Sequence, residues 1–127
     1  MSRSSDTLSE WVVALQSDNV AQRRIAVFEL AKLKNPLLVP SLMDALNDPD
    51  ASVRTLIATA LSGIGEPCLV YLQQHLTDED PRARMVILTA LRHMKGVDVL
   101  AELRHFAQDE DPNIREMAQR ALKEQEE

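Results

Sequence analysis

Four arginines frame this chain. Arg23, Arg54, Arg84 and Arg115 are separated by 31, 30 and 31 residues. Three residues after each stands an apolar residue (Ala26, Ile57, Ile87, Ala118), and seven after each a leucine (Leu30, Leu61, Leu91, Leu122). Six after three of them stands an alanine (Ala60, Ala90, Ala121), where the first copy has Glu29. Acids precede the arginine by six and four residues in three copies, Asp48/Asp50, Asp78/Asp80 and Asp109/Asp111; the first copy carries Asp18 and Asn19. Repetition at this period marks stacked supersecondary units, none of which buries its apolar stripe alone.

Each copy reads as two helices. Offsets of 0, 3, 7 and 10 from the arginine fall on one stripe of a 3.6-residue helix. The acids supply N-cap oxygens and negative charge at the positive helix end, and Pro81 and Pro112 take the first helical position. Lys32, Lys34, Arg92 and Lys95 cluster at the other end, and Gly63 and Gly65 are suited to the left-handed geometry that stops a helix. Pro36 and Pro67 start shorter second helices, with Pro40 breaking or kinking the first turn of one. The spacing predicts eight helices, over 6–16, 20–33, 36–47, 51–62, 67–76, 81–94, 97–107 and 112–124. The expected organisation is one all-α domain over 1–127, about four two-helix repeats with half repeats at both ends.

Composition narrows the function classes. Hydrophobic residues make up 45% of the chain and aromatics 3%, so Leu, Ala, Val, Ile and Met carry the core and favour helices. A net charge of −6 opposes generic binding to a phosphate backbone. One cysteine, Cys68, fits a reducing compartment. MSRSSDTLSE has no apolar signal core, and no apolar run reaches the length of a membrane span. A cytoplasmic location is the expectation, with neither nucleic acid nor membrane as partner.

The pattern D-x-D-x-x-x-R followed by A-L-x-x-[I/M]-[G/K], best formed in the D-P-D…V-R…A-L-S-G-I-G of residues 48–65, resembles the short HEAT-like repeats of the phycobilisome-lyase type. The resemblance covers roughly 6–124. It implies an α–α superhelix, an armadillo/HEAT-type solenoid, in which Asp and Arg of successive copies bond along the stack. It identifies an architecture and leaves activity open. Similar proteins include bilin lyase subunits, adaptors and di-iron hydroxylases, whose iron ligands are His-Glu pairs; here the three histidines precede Leu76, Met94 and Phe106.

The carboxylate runs at 78–80 and 109–111 lack the glycine turn and distal Glu of a divalent-cation loop, so they read as caps and as partners of the repeat arginines. Cys68 occupies the slot of Leu37 in the previous copy and reads as small apolar packing. His75, His93 and His105 offer no i,i+4 metal pair. No nucleotide-binding or nucleophile-elbow motif occurs. Neither a catalytic residue, a cofactor nor a metal is expected, and the chain is not expected to be an enzyme.

Structural roles are expected for Arg23, Asp48, Asp50, Arg54, Asp78, Asp80, Arg84, Asp109, Asp111 and Arg115. A partner surface on the second helices is expected at Ser41, Asp44, Tyr71, Gln74, Asp98, Glu102 and His105. Trp11 is read either as a cap on the first repeat or as an interface anchor. The resulting expectation is a non-catalytic adaptor for another protein, with a basic partner favoured by the acidic edge. The alternative is an accessory subunit of a tetrapyrrole lyase, and a homodimer is also open because the end helices leave apolar stripe uncovered.

Overall fold

The computed structural model describes residues 3–94 and 97–126, which leaves Lys95 outside the described residues. Its order is α1 (Arg3–Ala14), α2 (Val20–Leu33), α3 (Val39–Met43), α4 (Ala51–Ile64), α5 (Leu69–Gln74), α6 (Pro81–Arg92), α7 (Leu100–Phe106) and α8 (Pro112–Glu126). The second helices are shorter than the spacing predicts. α3 and α5 are preceded by 3-10 turns at Pro36–Leu38 and Glu66–Cys68, and Pro40 sits in the first turn of α3. No strand occurs among the described residues.

The long helices α2, α4, α6 and α8 pack in a row, each on the next, and the short helices form a second layer beside them. The repeat positions form the seam. Ala26, Ile57, Ile87 and Ala118 are fully buried, as are Leu30, Leu61 and Leu91, with Leu122 partly buried against the same core. Four residues after the arginine the pattern changes along the stack. Val27, Ala58 and Leu88 are buried there, whereas Gln119 of α8 is exposed. A polar residue at that position gives the last described helix a solvated outer face. Trp11 of α1 packs, partly buried, against the core. This is an α–α solenoid.

The 30-residue repeat loses its residue in the turn between the two helices. α2 is followed by Lys34, in the left-handed region at φ 47°, and then by Asn35, which caps the 3-10 turn by accepting from the Leu37 N–H. After α4 a single residue, Gly65, ends one helix and starts the next turn, at φ 82° and ψ −137°. Gly63, expected to share that role, lies inside α4. The shorter turn also shifts the alignment: Cys68 closes its 3-10 turn as Leu38 does, so its slot is that of Leu38 and not of Leu37. The two prolines misalign the copies because the deletion lies immediately before them.

Gly65→Ala is expected to cost roughly 1–3 kcal/mol, since its backbone region is open essentially to glycine alone. A Cβ would meet nothing closer than Ser62 O at 3.9 Å, so the cost is in the backbone. Gly63→Ala is expected to stabilise by about 1 kcal/mol, because a helical position gains propensity and the new methyl touches only Lys34 Cε at 3.9 Å. Urea unfolding of the two variants checks the opposite signs.

Candidate functional site: the acidic clefts between repeats

Each aspartate pair does two jobs. Asp50, Asp80 and Asp111 cap α4, α6 and α8, accepting from Val53, Arg82 and both Asn113 and Ile114 N–H groups at 2.9–3.2 Å. Asp48, Asp78 and Asp109 accept from the N–H of the following capping aspartate at 2.8–2.9 Å. The carboxyls of Asp50 and Asp80 lie below the ordinary range. The Ser52 hydroxyl leads for Asp50 and the Arg82 guanidinium for Asp80.

The four arginines share one bond. Each sends Nη1 to the carbonyl six residues earlier: Arg23 to Ser17, Arg54 to Asp48, Arg84 to Asp78 and Arg115 to Asp109, at 2.7–3.0 Å. Two go further. Arg23 Nε and Nη2 reach Asp48 at 2.9 and 3.3 Å, and Arg84 Nε and Nη2 reach Asp109 at 3.0 and 3.1 Å. These forks tie one inter-repeat turn to the next, with bidentate geometry that satisfies both charges. Burial opposes the charge on Asp109, but the bonds from Arg84 and the Asp111 N–H outweigh it and hold its carboxyl below the usual value.

The middle fork does not form. Arg23 to Asp48 and Arg84 to Asp109 are each 25 residues apart, whereas Arg54 to Asp78 is 24. Asp78 faces His75 Nδ1 at 3.5 Å instead. The resemblance implies a bond at every junction; the one-residue deletion at Gly65 coincides with the junction where it is missing.

Above each fork lies an open cleft. One, of about 530 Å³, is walled by Asp78, Glu79, Glu110 and His105 over Arg84 and Asp109. The other, of about 300 Å³, has Asp18, Asp44 and Asp48 over Arg23. Asp44 and His105 stand at the same repeat position. Glu79 and Glu110 are exposed.

The expected partner surface is partly placed on solvent. Asp44, Tyr71, Gln74, Asp98 and His105 are exposed and Ser41 is half-buried. Asp98 accepts from the Leu100 N–H at 3.1 Å, which makes it a turn cap as well. Glu102 is a correction: it is 8% exposed and accepts from Gln73 Nε2 at 2.7 Å between α5 and α7. Helices of six and seven residues carry too few apolar positions to fix their rotation from sequence. The Gln73 partner had no signal in the repeat pattern, since its aligned residues are Met43 and Arg104.

Cys68 is fully buried, its Sγ lies 3.3 Å from Leu61 O, and burial pushes the thiol up to about 11. A thiol so placed is a poor nucleophile. Among the described residues no group of three or more His, Cys, Asp or Glu side chains is arranged to hold a metal ion. No single described helix is long and apolar enough to cross a membrane.

A two-layer helical stack with arginines in register defines the class: an α-helical repeat scaffold. The chain belongs to the HEAT-repeat family, which its sequence matches over residues 8–70 and again over 69–127. Over 104 residues, 80% of this chain, it is 34% identical to the deoxyhypusine hydroxylase of Eremothecium gossypii, and the match spans 32% of that protein. The chain thus spans about a third of the length of this curated relative. The expectation of a chain that is not an enzyme is corrected by this match, because the relative is named as one.

Proposed function

We propose that residues 1–127 form one HEAT-repeat binding domain that takes basic side chains of a protein partner into the clefts between neighbouring repeats, in the cytoplasm. The observation that carries this reading is the recurrence of the cleft at two junctions, each with a paired arginine as floor and unpaired carboxylates on its rim. The paired arginine has its charge satisfied by aspartate, so a guest sees the outer acids. At the larger cleft these are Glu79 and Glu110, both exposed, whose side-chain carboxylates make no hydrogen bond or ion pair among the described residues. Acidic walls in a concave site attract cations and raise association rates.

The accessory lyase-subunit reading ranks second. The finer phycobilisome-lyase likeness rests on the residues 48–65 pattern, while the single thiol that could carry a pigment is buried.

The test is fluorescence anisotropy with a labelled Lys/Arg-rich peptide as probe. Glu79→Gln/Glu110→Gln is expected to weaken binding at least about fivefold without moving the unfolding midpoint, and added salt should weaken the wild type similarly. Asp78 and Asp109 are left intact because both are capping turns. Affinity unchanged by the double substitution and by salt would remove the clefts from this role.

A further inference from the structure

The outer face of α2 carries an apolar patch that the other long helices lack. Ile25 and Phe28 are 50% and 53% exposed. The position of Phe28 is Thr59, Thr89 and Arg120 in the later copies, and that of Ile25 is Leu56, Val86 and Met117, all buried or half-buried. Both residues lie on the side of α2 opposite its buried Ala26, Val27 and Leu30. A large exposed apolar pair on one helix face marks an interaction surface.

The residues around the patch are arranged symmetrically. The midpoint of Val20–Leu33 falls between Ala26 and Val27. Ile25 and Phe28 are equidistant from it, and so are Arg24 and Glu29. When two copies of one helix pack antiparallel about a two-fold axis, each residue meets the one equally far beyond the midpoint. Ile25 then meets the partner's Phe28, and Arg24 meets the partner's Glu29. Within one chain, Arg24 and Glu29 are five residues apart and do not face each other. Lys32 pairs with Glu29 at 3.2 Å and stands over the Phe28 ring, 4.6 Å from its centroid.

We infer that the outer face of α2 is a self-recognition surface, occupied by α2 of a second copy in antiparallel two-fold packing. The apolar pair supplies the centre and the crossed Arg24–Glu29 pairs the flanks and the register. A contact of one helix face is small, so the association is reversible and of modest affinity.

Sedimentation equilibrium of the full chain tests it, with circular dichroism confirming the fold of each variant. The wild type is expected to show a monomer–dimer equilibrium. Phe28→Ser should weaken it roughly 30-fold or more, and Arg24→Glu and Glu29→Arg each about fivefold. The combined Arg24→Glu/Glu29→Arg chain should recover to within about threefold of the wild type, since the crossed pairs re-form with reversed sign. A wild type that remains monomeric at millimolar concentration, a dimer indifferent to Phe28→Ser, or a double swap no better than the single ones overturns the inference.

Discussion

Phe106→Ala lowers the unfolding free energy by about 4 kcal/mol, within the usual range for a large core aromatic. Phe106 closes α7, is fully buried, and stands edge-on to His105 with ring centroids 5.4 Å apart. The same repeat position holds Ala14, Ala45 and His75 in the other copies, so no neighbouring copy supplies an equivalent bulk. The cavity opens where α7 packs against α8. In a stack whose units touch only their neighbours, such a loss is felt first at its own end. Hydrogen exchange should show α7 and α8 opening before α2 and α4, and denaturant unfolding should give the energy. A loss below about 1 kcal/mol would mean that the site collapses around the missing ring.

Arg84→Ala costs about 3 kcal/mol, whereas Arg54→Ala, at the same repeat position, costs about 1 kcal/mol. Arg84 makes the Asp109 fork and also donates to the carbonyls of Asp78 and Glu79. The side chains of Arg84 and Asp109 are only 9% and 6% exposed, so removing the arginine leaves a buried carboxylate with one remaining N–H donor. Arg54 gives up a single bond, to Asp48 O at 2.7 Å. Urea midpoints of the two variants measure the difference; equal losses would contradict the assignment of closed and open forks.

The Asp109 fork also has a pH signature. Its folded carboxyl lies below the ordinary value, so the unfolded chain binds the proton first as acid is added. Its stabilisation is complete above the unfolded pKa of about 3.9 and is lost as the pH falls through the folded value. Arg84→Ala should therefore flatten the fall in stability below about pH 4.

The frame of the fold was legible because one residue type recurs at one period. The arginine, the capping acids and the buried residues three and seven positions on define the long helices. The deletion was visible as a 30 between two 31s, but its place at Gly65 was not, because Pro36 and Pro67 invite the wrong alignment. Which forks close depends on that place, since only an arginine–aspartate separation of 25 forms one. The clefts themselves were beyond pattern reading. They exist where two turns stand side by side, and the rim of the larger one mixes Glu79, His105 and Glu110 from two neighbouring copies. Glu102 was misplaced because polarity alone predicts exposure, while Gln73, 29 residues away, satisfies one of its oxygens.

The most direct test of the cleft reading is an amide-correlation NMR titration of the intact chain with the Lys/Arg-rich peptide. Shifts are expected to cluster at residues 76–79 and 105–110, with weaker ones at 15–18 and 44–48, and to be lost at high salt. Shifts confined to other faces, or none at millimolar peptide, would contradict that reading.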